Sequence, residues 1–185
     1  MTTPDYPICT DRLRLRPFET RDADAVLAYH SLPEVSQYQF WSPRTRPEVE
    51  AKIAAWENKY SISNEGDAMV LAVELADGSE LIGDIMLALR SCEARQGEIG
   101  YSFNPDYSGQ GYATEAVSAL VDWGFDVLGL HRISARCDAR NDRSWKLAER
   151  MKFRREAHFR EHAKFKGGWD EEYYYAILDR EWANL

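Results

Sequence analysis

The chain has 185 residues, of which 44% are hydrophobic and 29% are charged. This length and composition favour a single globular domain around one core. Lys and Arg number 23 against 31 Asp and Glu, so the formal net charge is −8 at pH 7. Because a negative surface repels phosphate backbones, nucleic acid is not expected as a partner.

The cysteines and the first residues indicate the cellular setting. Cys9, Cys92 and Cys137 are odd in number and form no C-x-x-C pair, which argues against a disulfide framework or a structural zinc site. The start, MTTPDYPICTDR, holds no apolar segment of a signal peptide, and no run approaches the ~18 apolar residues of a membrane span. We therefore expect a cytoplasmic protein without membrane contact.

The first third of the chain predicts one strand followed by two helices. Residues Ile8 to Phe18 alternate between apolar and charged side chains, as in a half-buried strand. Thr20 is the expected cap of a first helix. Thr45 and Glu48 form a capping box, and apolar residues at helical spacing then predict a second helix over Pro47 to Tyr60.

The rest of the chain alternates strands with helices. Turns are expected at residues 76–79 and 166–168, which are rich in glycine and polar residues. The predicted elements are strands at Ala68 to Leu75, Leu81 to Leu89 and Glu98 to Phe103, a helix from Ala113, a strand at Ile133 to Cys137, a helix capped by Asn141 or Asp142, and strands around Phe153 to Lys164 and Glu172 to Leu178. This order predicts an α/β protein of the α+β type, with a mixed sheet and helices on both faces.

Two glycines immediately precede the long helix. Gly109 and Gly111 allow a sharp turn, and the unpaired amides and positive dipole of the helix N-terminus then suit a phosphate. Thr114 stands where a dinucleotide fingerprint needs its third glycine, and the Walker A lysine is absent. Taken alone, such a turn is most often just a tight connection.

The surrounding residues resemble a known family. The run EIGYSFNPDYSGQGYATEA, residues 98–116, resembles the acetyl-CoA-binding segment of the GNAT N-acetyltransferases, whose phosphate loop reads Gln/Arg-x-x-Gly-x-Gly/Ala. It looks most like the RimJ/RimL-like branch, the ribosomal-protein N-terminal acetyltransferases. Five further stretches agree in order: RLRLRPF at 12–18, LIG at 81–83, GLHR at 129–132, NDRS at 141–144 and WD at 169–170.

The resemblance implies a fold, a donor and a binding loop. It implies one acyl-CoA N-acyltransferase (GNAT) domain over residues 1–185, with a mostly antiparallel twisted sheet and acetyl-CoA as the acetyl donor. Phe103 is expected at a strand bulge, where the main chain pairs with the pantetheine arm and an N–H faces the thioester carbonyl. Asn141 and Ser144 are expected close to the donor. The implied phosphate-loop residues are Ser108, Gly109, Gln110, Gly111, Tyr112, Ala113 and Thr114, of which Ser108 replaces the family's usual Gln or Arg.

Two residues are candidates for the chemistry of transfer. Glu98 is the candidate base for the amine proton, directly or through water, and is equally typical of a solvated strand residue paired with a neighbour such as Arg95. Ser144 is the candidate proton donor to the leaving thiolate, because Ala148 stands where other branches place a tyrosine. Water is the alternative proton source, and Ser144 is then only a polar residue of the first helical turn. No metal is expected, since the histidines show no ligand spacing.

The acceptor is expected to be an amine, and its candidate binding residues are Trp41, Tyr101, Trp169 and Asp170. Aromatic residues such as Tyr101 are equally typical of a core, and Trp169 and Asp170 of a closed sheet edge. A protein N-terminal α-amine is the first expectation, because an α-amine titrates near ~8 and a lysine near ~10.4. A small amine such as a polyamine or an antibiotic stays open, and so does a homodimer. A non-catalytic acyl-CoA-binding module stays open as well, since Ala148 and Lys152 both depart from the family pattern.

Overall fold

The computed structural model describes residues 2–78 and 80–185. The strands are β1 (Ile8–Cys9), β2 (Leu13–Arg16), β3 (Ala68–Leu75), β4 (Leu81–Ser91), β5 (Gln96–Phe103), β6 (Arg132–Asp138), β7 (Arg154–Phe165) and β8 (Gly168–Leu178). The helices are α1 (Ala23–His30), α2 (Pro33–Ser36), α3 (Arg46–Trp56), α4 (Tyr112–Asp126), α5 (Asp142–Arg150) and α6 (Asp179–Trp182). No helix within the described ranges is long and apolar enough to cross a membrane.

The described strands form one eight-stranded sheet in the order β1-β2-β3-β4-β5-β6-β8-β7. All neighbouring pairs are antiparallel except β5 and β6, which run parallel. Helix α4 connects these two strands, because parallel neighbours need a crossover connection. The predicted mixed, mostly antiparallel sheet is confirmed.

Helices cover both faces of the sheet because strand side chains alternate. On β3, Val70 and Ala72 pack in the apolar cluster that α1 and α3 complete. Leu71 and Val73 point the other way, into the larger cluster completed by α4 and α5. We call these sides the α1–α3 face and the α4–α5 face. The predicted helices on both faces are therefore confirmed.

The structure corrects the N-terminal third of the prediction. The expected strand from Ile8 to Phe18 is two strands, because a turn closed by a 2.9 Å hydrogen bond from the Leu13 N–H to the Thr10 Oγ1 reverses the chain. Glu19, and not Thr20, precedes the first helical turn, and its N–H donates to the Asp22 carboxylate at 2.8 Å. Helix α3 has the predicted capping box but ends at residue 56 instead of 60, since the chain then turns to pair with β3.

The remaining predicted elements agree with the structure within a few residues. The predicted helix cap is Asn141, whose side chain accepts a hydrogen bond from the Ser144 N–H at 3.3 Å. In the turn at 76–79, Gly78 has a φ of +74°, and Ser79 lies outside the described residues. Helices α2 and α6 have four residues each, too few for a periodic pattern to predict them.

Candidate active site

A gap opens between the two parallel strands of the sheet. β5 and β6 pair only as far as Ile99, which lies opposite Ala135. Beyond that point β5 continues to Phe103 along β4, and β6 continues to Asp138 along β8. No strand of the described chain pairs with the two edges that face each other across the gap. Their N–H and C=O groups can therefore pair with an extended ligand.

A cavity of about 350 Å³ lies in this gap and is lined from both faces of the sheet. Strand register determines towards which face of the sheet each side chain points. Glu98 pairs with Ala88, so it shares the α1–α3 face with Met86, a member of that cluster. Tyr101 is three residues further along the strand and points to the α4–α5 face, where it packs against the larger core.

Neutral hydrogen-bonding groups line the cavity on the α4–α5 face. The Tyr101 hydroxyl lies 2.9 Å from the Oγ of Ser144, which is in the first turn of α5. Burial raises the pKa of Tyr101 to about 12 and that of the Cys137 thiol to about 11. Both groups therefore stay protonated at neutral pH. Asn141 and Ala148 complete this side.

Carboxylates line the cavity on the α1–α3 face. Glu98 lies opposite Ser134 on β6, and Asp138 is four residues further along the same side of that strand. Asp138 in turn pairs with Glu172 on β8, and Asp170 is two residues before it. These four acidic residues share the cavity wall with two basic ones, Arg90 and Arg136.

Glu98 has a different ionic neighbour from the one considered in the sequence. Its carboxylate accepts a hydrogen bond from the Arg90 Nε at 3.1 Å, and the side chain is 17% exposed. The Arg95 guanidinium instead donates to the Gly129 carbonyl. Glu98 is therefore both ion-paired and in contact with the cavity, because one carboxylate oxygen meets Arg90 while the residue lines the wall.

His162, Asp170 and Glu172 form a cluster that the sequence pattern does not indicate. The His162 Nδ1 lies 3.2 Å from Asp170, and its Nε2 lies 3.5 Å from Glu172. Glu172 also accepts a hydrogen bond from Arg136 at 2.6 Å. The two acids, at i and i+2 on β8, could have been placed on one face from the sequence. His162 could not, because an irregularity between Arg160 and Lys164 shifts the β7–β8 register.

The tip of the β7–β8 hairpin contacts the loop after α2 and borders the cavity. The Lys166 Nζ donates to the backbone carbonyls of Ser36 and Trp41 at 2.5 and 2.9 Å. Phe165 packs edge to face against Phe40, with ring centroids 5.5 Å apart. Both phenylalanines line the cavity, and Phe40 is 80% exposed.

The structure places two of the expected acceptor residues away from the cavity. Trp41 does not line it, because its ring stacks on His30 at 4.6 Å and is covered by the Arg44 guanidinium at 4.4 Å. Trp169 does not line it either, since it lies on the exposed side of β8 beneath the Lys164 ammonium. Tyr101 and Asp170 do line it, on opposite faces.

The glycine turn forms an open loop at the start of α4. Gly109 and Gly111 have φ values of +79° and +85°, which favour glycine. A Cβ at Gly109 would meet nothing within 4 Å, so the space beside the loop is open. Ser108 before it is exposed, and the Gln110 carbonyl accepts a 3.0 Å hydrogen bond from Arg12.

The amides of this loop are available to an anion. Gly111 is the N-cap of α4, and no side chain caps this helix end. Tyr112, Ala113 and Thr114 form the first turn, whose amides have no partner within the helix. Free amides and the positive end of the helix dipole stabilise a bound pyrophosphate, and the left-handed glycines give the loop the turn that exposes these amides. The residues present therefore fit the pyrophosphate of the expected donor.

Phe103 differs from its expected setting. The β4–β5 ladder is regular where Phe103 lies opposite Gly83, and its only recorded shift is between Leu89 and Ser91, at the other end. The expected bulge at Phe103 was therefore wrong. The Phe103 ring lies so close over Gly83 that a Cβ there would come within 2.7 Å of it.

The site has neutral hydrogen-bond donors on one side of the strand gap and carboxylates on the other, and an anion-binding loop lies beside the gap. This arrangement suits transfer of an activated acyl group to an amine. Residues 12–154 match the family model described as the acetyltransferase (GNAT) domain. The chain belongs to the GNAT family of N-acetyltransferases, which use acetyl-CoA as the acetyl donor and amines as acceptors.

Three similar proteins illustrate this relationship. The uncharacterised N-acetyltransferase YnaD of Bacillus subtilis is 38% identical over 176 residues, covering 95% of this chain and 98% of that protein. A solved GNAT-family acetyltransferase from Bacillus anthracis superposes with a TM-score of 0.84 at 33% identity, covering 94% of this chain and 98% of that one. The ribosomal protein uS5-alanine N-acetyltransferase of Escherichia coli is 25% identical, covering 97% of this chain and 94% of that protein.

Proposed function

We propose that the protein transfers the acetyl group of acetyl-CoA directly to a protein N-terminal α-amine in a ternary complex. The observation that carries the proposal is the two-sided cavity, in which Tyr101 and Ser144 face carboxylates across the strand gap. The donor supplies an activated acetyl thioester. The α4–α5 face receives it, and the amine enters from the α1–α3 face.

Glu98 is the proposed base. An amine attacks only when neutral, so a carboxylate at the meeting point of the two faces must take its proton, directly or through water. Glu98 is on β5 just before the strands part, and it lines the cavity. Its ion pair with Arg90 holds the carboxylate in one orientation.

Ser144 is the proposed proton donor to the leaving thiolate. Tyr101 stays protonated because its pKa is raised to about 12, so its hydroxyl can donate to the Ser144 oxygen. The Ser144 hydrogen is then free to point into the cavity. This arrangement compensates for Ala148, whose side chain cannot donate a proton. The Asn141 side chain accepts a hydrogen bond from the Ser144 N–H and so orients Ser144.

The remaining donor contacts are assigned to the backbone. The amides of Gly109 to Thr114 would hold the pyrophosphate, with the Thr114 hydroxyl and the exposed Ser108 beside it. The open edge of β5 up to Phe103 would pair with the pantetheine arm. These backbone groups carry no net charge, and the local field of the helix N-terminus favours an anion although the chain has a net charge of −8.

An α-amine suits this site because its pKa is low, so the catalytic base removes its proton more easily than that of a lysine. At pH 7 about a tenth of α-amines are neutral, against fewer than about one lysine in a thousand. Asp170 and Glu172 would attract the cationic form from the α1–α3 side. Phe40, highly exposed beside the cavity, suits the flanking residues of a protein acceptor. Similarity to the uS5-alanine acetyltransferase supports the RimJ/RimL-like branch and a cytoplasmic setting.

A polyamine is the second candidate, favoured by the buried acids Asp170 and Glu172 on the same wall as Glu98. Thiol release from acetyl-CoA should be followed with peptides bearing free or blocked N-termini, and with spermidine. We expect the highest kcat/KM for free peptide N-termini and none for blocked ones. A higher kcat/KM for spermidine would favour the polyamine. Donor binding without turnover of any amine would contradict both.

A further inference from the structure

Two arginines of α5 reach the two ends of the glycine loop. The Arg143 Nη1 donates to the Ser108 Oγ at 3.4 Å, and the Arg150 Nη1 donates to the Thr114 Oγ1 at 3.1 Å. Residues seven apart lie on one side of a helix and about 10 Å apart along its axis. One helix thus sets a guanidinium on each side of the anion-binding turn.

In the part of the chain that the structure describes, these two arginines have no carboxylate partner in direct contact. Within residues 2–78 and 80–185, neither forms an ion pair with a carboxylate within 4.0 Å. Asp142, next to Arg143, pairs with Lys146. The third arginine at the loop, Arg12, is held by Glu115 at 2.6 Å. Two guanidinium groups without a direct carboxylate partner, placed beside the amides of a helix N-terminus, point to an anionic ligand.

Arg150 also lines a second cavity, on the outer side of the loop. This cavity has a volume of about 810 Å³ and shares no lining residue with the first. It borders the loop at Gly111 and Thr114. Helix α5 connects the two cavities, since Ser144 lines the first and Arg150 the second. A donor with its thioester in the first cavity and its pyrophosphate on the loop would set its nucleoside in the second.

We propose that Arg150 binds the ribose 3′-phosphate of coenzyme A and that Arg143 binds its pyrophosphate. The proposal rests on the donor lying along the loop, as in the proposed function. A guanidinium matches two phosphate oxygens with two N–H donors. The hydrogen bond to Thr114 holds the Arg150 side chain at the rim of the second cavity. Arg150 therefore gives the site its selectivity for coenzyme A over the form without the 3′-phosphate.

The test is calorimetric titration of the intact protein with coenzyme A and with 3′-dephospho-coenzyme A. We expect the wild type to bind coenzyme A about tenfold more tightly. Arg150→Gln should lower affinity for coenzyme A about tenfold and leave affinity for the dephospho form unchanged. Arg143→Gln should weaken both ligands by the same factor. Arg150→Lys, which keeps the charge but loses the fork, should fall between wild type and Arg150→Gln.

The matched control is Arg21→Gln, an exposed arginine paired with Glu19 away from the loop, which should change neither affinity. Melting temperatures of all variants report folding independently of binding. Equal loss of both ligands in Arg150→Gln, or a wild type that does not distinguish them, would overturn the assignment. Wild-type protein that binds neither ligand would overturn the donor site as a whole, which is a separate result.

Discussion

The Tyr101 hydroxyl and the Ser144 Oγ, 2.9 Å apart, join strand β5 to the first turn of α5 across the open gap of the sheet. The two residues are distant in the chain, and their contact depends on the parting of β5 from β6. Because burial keeps the tyrosine protonated, the pair forms a short chain of hydroxyls that ends in the cavity. We therefore expect acetyl transfer to depend on both hydroxyls.

Ser144→Ala should lower kcat about tenfold to a hundredfold and leave the affinity for coenzyme A nearly unchanged, because the hydroxyl acts on the leaving group. Tyr101→Phe should have a smaller effect, and the double variant should resemble Ser144→Ala because the two act as a unit. Steady-state kinetics and calorimetry measure the two quantities. Ser31→Ala, an exposed serine after α1, is the control. A kcat within about twofold of wild type would make water the proton source.

Glu98→Gln should lower kcat/KM most at low pH. At pH 6 few amines are neutral and a base is needed, whereas near pH 9 an α-amine is already neutral. We therefore expect kcat/KM to fall about a hundredfold at pH 6 and less than about tenfold at pH 9. The pH dependence of thiol release measures this change. Glu171→Gln on the exposed side of β8 should keep the wild-type profile. Parallel profiles for Glu98→Gln and wild type would remove its role as base.

Local patterns predicted most of the fold and several of the residues that line the cavity. Alternation in β3 and the Asn141 cap depend on residues close in the chain, so the sequence shows them directly. Alternation also separates Glu98 from Tyr101, so their positions on opposite faces were available from the sequence. The partner of Glu98 was not, because Arg90 meets it across the β4–β5 ladder.

Contacts between distant segments account for the remaining differences. The hairpin tip holds the loop after α2 through Lys166, and no local pattern could have shown that Phe40 would line the cavity. The clustering of His162 with two acids follows from a shifted strand register. Such features depend on which segments the folded chain brings together, and a periodicity analysis contains no information about that choice.

Gly111→Val should abolish the thermal stabilisation by coenzyme A, because a branched side chain at φ +85° strains the loop and enters the space beside its amides. Differential scanning fluorimetry with and without coenzyme A measures the shift. Gly66→Val is a matched control, since Gly66 has a φ of +90° with nothing within 4 Å and lies far along the chain in another turn. It should lose basal stability yet keep the ligand shift. A ligand shift retained in Gly111→Val would remove the loop from the binding site.

Glu156→Gln should reduce stability at pH 7 but not near pH 2. Hydrogen bonds from Arg132 and Arg154 lower the pKa of Glu156 to about 2, against about 4.3 in an unfolded chain. A lowered folded-state pKa stabilises the protein above the unfolded value, and this contribution is lost as the pH falls toward 2. Allowing for solvent screening, we expect a difference of about 1 kcal/mol at pH 7. Urea unfolding at several pH values measures it, and a difference independent of pH would contradict the prediction.

Lys152→Gly should stabilise the protein. Lys152 follows α5 with a φ of +63°, a conformation that costs an L side chain about 1 kcal/mol and that glycine adopts freely. Its N–H is bonded to the Glu149 carbonyl, so the backbone position is fixed by the helix end and the side chain is exposed. We expect a gain of about 0.5–1 kcal/mol in the free energy of unfolding. Lys146→Gly, inside α5, should instead lose about 1 kcal/mol. Destabilisation by both substitutions would show that the lysine side chain at 152 contributes more than its backbone strain costs.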